Sequence, residues 1–325
     1  MKENSIKQKN VFITGIAGFI GFHLARFLKK RGDHVIGCDN FNSYYDVSLK
    51  EKRASMLKEE GITVIQADIC DKMFLEKSFE KFAITHLVHL AAQAGVRHSI
   101  KHPDHYVHTN LNGFVQILEV CRRFPHIKIT YASSSSVYGL NTKVPFSEDD
   151  LTDQPASFYG ATKKANELIA HSYHHLYGLS LTGLRFFTVY GPWGRPDMAY
   201  YSFTRNILAN EPIQVYNHGQ MKRDFTYIDD IVAGTAAAMD LGTGHEIFNL
   251  GNNQPEDLME LISLLEQYTG KKVQKQFLPM QQGDVHITYA DISKSQRLLG
   301  YSPKIPLREG LKNFVDWYLS FRSFA

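Results

Sequence analysis

Val11-Phe12-Ile13-Thr14-Gly15-Ile16-Ala17-Gly18-Phe19-Ile20-Gly21 is the stretch that decides how this 325-residue chain folds. A short apolar run rich in strand formers meets three glycines spaced by three. From Phe22 to Lys30 the pattern turns helical, with Leu24, Phe27 and Leu28 on one face. The predicted order is strand, glycine turn, helix. Gly15, Gly18 and Gly21 suit a tight turn, a close backbone approach to a pyrophosphate, and close helix–strand packing. Phe19 and Ile20, inside the turn, are cofactor candidates with the glycines, and the N-terminus of the helix that follows would face the anion. A glycine triplet alone usually just turns the chain. Here a second strand, His34-Val35-Ile36-Gly37-Cys38, follows and ends at Asp39-Asn40. A carboxylate at that point would accept hydrogen bonds from ribose hydroxyls and repel a 2′-phosphate, which argues for NAD over NADP.

Outward from this unit, strands and helices alternate. Strands are expected at Thr63–Ala67, His86–Leu90 and Lys128–Ala132, with helices near Asp71–Phe82 and Pro103–Arg123. This alternation predicts a Rossmann-type, doubly wound parallel α/β sheet over residues 1–190. A smaller mixed α/β lobe for the substrate is expected over residues 191–325. Helices in that lobe fall near Asp230–Asp240, Glu256–Tyr268 and Leu307–Phe321. Ligands bind at the carboxyl ends of such strands, so the residues just beyond them are cofactor candidates. These are Asp68-Ile69, Ala91-Ala92-Gln93 and Ser133 to Ser136. Asp68 either accepts from an adenine amino group or caps the next helix. Asn110 either approaches the cofactor or satisfies backbone.

Four serines in a loop are ordinarily solvated turn chemistry. Their place at the end of the fifth strand, ahead of Ser157-Phe158-Tyr159-Gly160-Ala161-Thr162-Lys163-Lys164, suggests a hydroxyl relay instead. Tyr159 and Lys163 are four apart and share a helix face. An ammonium beside a phenol favours the phenolate and lowers its pKa from roughly 10, which would make Tyr159 a base. Ser134 is the expected bridge between Tyr159 and substrate, with Ser135 and Ser136 as rivals.

Composition narrows the class. Net charge is +3 with no basic run or aromatic-basic stripe, which gives nucleic-acid binding little support. Cys38, Cys70 and Cys121 are scattered and odd in number, as in a reducing compartment. The first ten residues are polar, without the apolar segment of a secretory leader, and no stretch nears the ~20 apolar residues of a membrane span. The expectation is a soluble cytoplasmic protein. His102, His105 and His108 could share one helix face. With no carboxylate or cysteine at a partner position to define a zinc site, they are expected to form a solvated helix start and to hold no metal. His171, His174 and His175 are expected to be solvated likewise.

With these motifs in view, nearly the whole chain after Asn10 resembles the extended short-chain dehydrogenase/reductases, and among them the nucleotide-sugar epimerases. The resemblance narrows at Leu184-Arg185-Phe186-Phe187-Thr188-Val189-Tyr190-Gly191-Pro192-Trp193-Gly194-Arg195-Pro196-Asp197-Met198-Ala199 and at Ala94-Gly95-Val96-Arg97-His98-Ser99. Both segments look like the UDP-glucuronate 4-epimerase group, although that group more commonly has Tyr where this chain has His98. The resemblance implies a bound NAD and epimerisation at C4 of a UDP-sugar through a transient 4-keto sugar, with Tyr159 as base and Lys163 also holding the nicotinamide ribose. It implies that Thr188 and Arg195 lie by the sugar carboxylate and that Arg97 lies at the substrate. It also implies that Arg223 contacts the diphosphate, that Asp284 contacts the uridine ribose, and that the enzyme is a homodimer. A UDP-glucose/galactose epimerase would share everything up to Lys163 without needing Arg195. A 4,6-dehydratase or UDP-glucuronate decarboxylase normally carries an acidic residue where positions 133 to 136 are all Ser. A non-catalytic NAD-sensing protein would tend to lose the Tyr/Lys pair.

Overall fold

The computed structural model describes residues 8–281 and 285–322. The first half alternates strand and helix. It runs β1 (Asn10–Thr14), α1 (Phe19–Arg31), β2 (His34–Asp39), α2 (Val47–Glu59), β3 (Thr63–Gln66), α3 (Lys72–Lys81) and β4 (His86–His89). Next come α4 (Val96–Lys101), α5 (Pro103–Tyr106), α6 (Phe114–Arg123), β5 (Lys128–Ser134), α7 (Phe158–Tyr177) and β6 (Leu181–Phe186). The second half holds β7 (Thr188–Tyr190), α8 (Ala199–Ala209), β8 (Ile213–Val215), β9 (Lys222–Tyr227), α9 (Ile228–Leu241) and β10 (His245–Leu250). It ends with β11 (Pro255–Asp257), α10 (Leu258–Thr269), β12 (Lys275–Phe277), β13 (Ile287–Thr288), α11 (Ser293–Leu299) and α12 (Leu307–Arg322).

Seven strands form one parallel sheet in the order β10-β6-β5-β4-β1-β2-β3. Successive side chains of a strand face opposite ways, so β1 feeds two cores. Val11 and Ile13 pack with Phe22, Leu24 and Leu28 of α1, whereas Phe12 joins Phe79, Leu87 and Phe114 on the other face. Strand order reverses between β1 and β4, which opens a crevice at their carboxyl ends. In the smaller lobe β9 pairs with β7, β11 and β13, and β8 pairs with β12.

Two features depart from the sequence expectation. Strand β10 lies beyond residue 191 yet returns to the large sheet beside β6, so the two lobes share more chain than a cut at 190/191 implies. His245-Glu246-Ile247 is only half buried at this sheet edge, and its mixed polarity hides the strand. Pro103–Arg123 is also not one regular helix. Val107–Gly113 winds as a π-helix between α5 and α6. Such wide turns expose backbone carbonyls, and here Asn166 Nδ2 donates to the Asn110 carbonyl at 2.7 Å.

A buried polar join fixes β5, β6 and α7. Arg185 of β6 donates from Nε and Nη2 to Glu167 of α7, both at 2.9 Å, and Ser133 Oγ donates to Glu167 at 2.6 Å. Burial pushes the Glu167 carboxyl up, but the Arg185 bonds and charge and the Ser133 bond hold it below its ordinary value. A carboxylate lowered in the fold stabilises above its unfolded pKa of roughly 4.3, and the contribution is lost as pH falls through the folded value. Glu167→Gln leaves the Arg185 charge buried without its counterion, which costs about 3–5 kcal/mol. Thermal melts at pH 7 are expected to show that loss, with the gap to wild type closing in acid. A gap that stays constant with pH would mean that charge is not what the substitution removes.

Candidate active site

A cleft of about 960 Å³ runs along the carboxyl ends of the parallel strands and continues under the smaller lobe. This is near the top of the roughly 300–1,000 Å³ range of ligand pockets. At its base, Gly15 has φ +71°, and a Cβ there would lie 2.9 Å from the Ala91 backbone nitrogen. A Cβ at Gly21 would lie 2.2 Å from the Gly15 carbonyl, so the turn closes only on glycine. Gly18 caps α1, and Phe19 and Ile20 begin its first turn on the cleft wall. This backbone cradle at a helix N-terminus fits a pyrophosphate.

Asp39 ends β2 on the same wall and accepts the Phe41 N–H at 2.9 Å. Burial raises its pKa, opposed by the Lys50 charge and the Phe41 N–H. Asn40 and Ile69 line the cleft nearby. Asp68 stands between Ala67 and Ile69, which line it. Its carboxylate accepts the Cys70 N–H at 2.8 Å and Asn40 Nδ2 at 3.0 Å, and the cap of α3 is Asp71 instead. Ala91, Ala92 and Gln93 follow β4 into the cleft. Asn110 stands behind them: its Oδ1 accepts Gln93 N–H at 2.8 Å and its Nδ2 donates to the Gln93 carbonyl at 3.0 Å. It therefore holds cleft backbone in place.

With Asp39 as the proposed reader of the adenosine ribose, Asp39→Ala is expected to weaken NAD binding roughly ten- to hundredfold. That is the range for losing charged hydrogen bonds of about 1.5–3 kcal/mol. NADP should lose little, so the NAD/NADP ratio falls. Fluorescence titration of cofactor-stripped protein with both nucleotides measures it, and an unchanged ratio would remove Asp39 from that role.

Tyr159 lies in the first turn of α7, which Ser157 caps by accepting the Gly160 N–H at 3.1 Å. The Tyr159 N–H donates to Ser99 Oγ at 3.2 Å, so α4 steadies this helix end. Burial raises the Tyr159 pKa, while a hydrogen bond with Ser134 and the Arg195 charge work against that rise. Lys163 is not among these influences. Its Nζ donates to the Ala132 carbonyl at 2.9 Å, and burial lowers it to about 8. On the shared helix face, Lys163 is turned to the end of β5.

Strand alternation separates the serines. Ser133 faces Glu167, whereas Ser134 reaches Tyr159 and also accepts the Ser136 N–H at 3.2 Å to start a short 3₁₀ turn. Ser135 and Ser136 line the cleft within that turn.

The remaining candidates stand across the cleft. Thr188 starts β7, and Arg97 lies over the Tyr216 ring at 4.8 Å. Arg223, on the same wall, donates from Nη1 to the Lys222 and His286 carbonyls at 2.9 and 3.2 Å. Asp284 lies outside the described residues. Arg195 is a quarter exposed and forks onto Asp197, Nε to Oδ1 at 3.1 Å and Nη2 to Oδ2 at 2.5 Å. Tyr44, on the loop after β2, donates to the same Asp197 carboxylate at 3.2 Å. Arg53 is fully buried and donates to the carbonyls of Ala17, Trp193 and Gly194, tying the glycine turn to the segment that carries Arg195.

Sequence reasoning missed Tyr44, Arg53, Ser99 and Asp197 as parts of this site. Asp197 and Ser99 lie in the two segments that carry the resemblance, and the spacing of Asp197 two from Arg195 was the available signal. The others are brought in by contacts far apart in sequence.

The histidines group differently from their spacing. His108 turns to Cys70 and Asp68, while His98 joins His102 and His105 beside Asp104, so a carboxylate does stand at a partner position. No helix among the described residues is long and apolar enough to cross a membrane.

Residues 11–251 match the sequence model of the NAD dependent epimerase/dehydratase family. UDP-glucuronate 4-epimerase 4 of Arabidopsis thaliana is 54% identical over 331 aligned residues, which take in 96% of this chain and 76% of the plant protein. A UDP-glucuronic acid 4-epimerase from Bacillus cereus, solved with UDP-glucuronic acid and NAD, matches with a TM-score of 0.90 and 37% identity, over 96% of this chain and 99% of that one. The UDP-glucose 4-epimerase of Thermotoga maritima, solved with UDP-glucose, matches with a TM-score of 0.88 and 31% identity, over 96% and 99% of the two chains.

Proposed function

This chain belongs to the NAD dependent epimerase/dehydratase family, and on that premise we propose that it interconverts UDP-glucuronate and UDP-galacturonate. It is an NAD-dependent nucleotide-sugar 4-epimerase. The glycine turn of Gly15, Gly18 and Gly21, with Asp39 beyond it, would hold NAD, which would supply a reversible hydride acceptor for sugar C4. The protein's own work is position and proton handling. Tyr159 takes the proton of the 4-hydroxyl, and Ser134 shares that proton's hydrogen-bond path. The 4-keto sugar turns over, and Tyr159 returns the proton once the opposite face is reduced. Lys163 sits one turn further along α7, where its ammonium can reach a ribose hydroxyl.

The observation that carries the choice of glucuronate is Arg195. Its guanidinium stands near enough to Tyr159 to act on the phenol electrostatically. A fixed cation beside the reacting carbon suits a sugar with a carboxylate at C6, and a neutral hexose gives it nothing to pair with. Asp197 takes two of the five guanidinium N–H donors, and the others are what the sugar carboxylate would meet. The same reading makes the enzyme a cytoplasmic homodimer. Exposed Leu168 and Leu176 on α7 supply apolar surface for a second copy.

The test is to incubate the purified chain with UDP-glucuronate and with UDP-glucose, and to separate the products. UDP-galacturonate should form with a kcat/KM well above that for UDP-glucose. Equal turnover of the two sugars, or a pentose as main product, would overturn the assignment.

A further inference from the structure

Away from the reacting groups, α4 and α5 meet at His102, where φ −134° and ψ 62° break the helix. The break gathers side chains that a straight helix would spread along its length. The His102 and His105 rings stack with centroids 5.3 Å apart and 13° between planes, and the His98 ring lies 4.5 Å from that of His102. His98 Nε2 stands 3.4 Å from His105 Nδ1, and His105 Nε2 stands 3.7 Å from Asp104 Oδ2. Ligand atoms of His102, Asp104 and His105 all fall within 4.8 Å of one another.

We propose that His98, His102, Asp104 and His105 form a binding site for a divalent transition metal of the zinc class on the rim of the cleft. Two nitrogens on a tetrahedral zinc, with Zn–N bonds of about 2.0–2.1 Å, lie roughly 3.3–3.4 Å apart. That matches the separation of His98 Nε2 and His105 Nδ1, which share a hydrogen bond, and with Nδ1 on the metal the His105 Nε2–H faces the Asp104 carboxylate, which orients the ring. Imidazoles with one carboxylate select zinc, nickel or copper over magnesium or calcium, which prefer oxygen donors. His102 and His105 are exposed, so their rings can turn a lone pair toward a common ion.

The site also has a route to the chemistry. His98 packs edge-on against Tyr44 with centroids 4.9 Å apart, and Tyr44 donates to Asp197, the partner of Arg195. A metal that fixes the His98 ring fixes the surface on which Tyr44 rests. The second group of ligand types, Asp68, Cys70 and His108, serves as the built-in comparison.

The experiment uses the full chain without a histidine tag, treated with chelator and titrated with zinc chloride against a chromophoric chelator. Wild type and Cys70→Ser should each bind about one equivalent at micromolar zinc. The double variant His102→Ala/His105→Ala should bind at least roughly tenfold more weakly. His98→Ala alone should also weaken binding. A melting temperature and NAD content equal to wild type confirm that the double variant is folded. Cobalt in place of zinc should give a tetrahedral d–d spectrum without thiolate charge transfer. Zinc binding that survives the double variant, disappears in Cys70→Ser, or is absent from wild type up to about 100 μM would overturn the proposal.

Discussion

Tyr159→Phe is expected to leave a folded protein that still releases NAD on denaturation but turns over UDP-glucuronate roughly 10²–10⁴-fold more slowly, the usual contribution of general acid–base catalysis. That corresponds to about 2.7–5.5 kcal/mol of barrier. The fold should survive because the phenyl ring keeps its edge contact with Tyr106, 6.1 Å between centroids, and Ser157 still caps the helix. The cofactor residues should survive because Lys163 is held by the Ala132 carbonyl and not by the phenol. What disappears is the hydroxyl proposed to take the 4-hydroxyl proton, so kcat should fall while KM moves little. The structure also says what poises this phenol. Burial raises its pKa, and the groups that counter the rise are Ser134 and Arg195. A Tyr159→Phe enzyme with near wild-type kcat would remove Tyr159 from the mechanism.

Arg195→Ala carries the second large effect, and it is where epimerase and decarboxylase part. Oxidation at C4 of a glucuronate places a ketone β to the C6 carboxylate, and a β-keto acid readily loses CO₂. Loss is fastest when the C5–C6 bond stands perpendicular to the carbonyl plane, because its electrons then enter the π system. An epimerase must grip the carboxylate and hold it out of that alignment. Arg195, Thr188 and the serines at 134–136 line the same cleft and are the groups proposed for that grip. A charge-assisted bond favours the intact carboxylate over departing neutral CO₂. Loss of such bonds, at about 1.5–3 kcal/mol, weakens UDP-glucuronate binding roughly ten- to hundredfold, with UDP-glucose changed little. Asp197 adds to this effect, since without Arg195 its carboxylate faces the substrate's own. Arg195→Ala/Asp197→Ala should therefore bind UDP-glucuronate better than the single variant and worse than wild type. Binding is the readout of choice, because loss of the Arg195 charge also acts on Tyr159 and slows every sugar. Product analysis of the single variant should show UDP-4-keto-pentose. An Arg195→Ala enzyme that binds both sugars as before and releases no pentose would sink the carboxylate grip.

By itself the sequence determined everything that local spacing can encode. The glycines at 15, 18 and 21, the alternation of β1 between two cores, the carboxylate ending β2 and the pair Tyr159–Lys163 are each set within one turn of helix or a few residues of strand. Those signals were enough for the doubly wound sheet, the dinucleotide wall and the catalytic helix. Only the tertiary structure separated Ser133 from Ser134, because that depends on which face of β5 meets Glu167 and which meets Tyr159. It also decided that Lys163 turns to the Ala132 carbonyl, that Val107–Gly113 winds as a π-helix around Asn110, and that His245–Leu250 returns to the large sheet. Tyr44 meets Asp197 across 153 residues of sequence, and Arg53 meets Trp193 across 140. Such contacts leave no periodic trace, because the spacing of residues along a chain constrains only neighbours within an element. Which surfaces meet is fixed when the two lobes bury their apolar faces together, and the Tyr44–Asp197 and Arg53–Trp193 contacts are consequences of that packing.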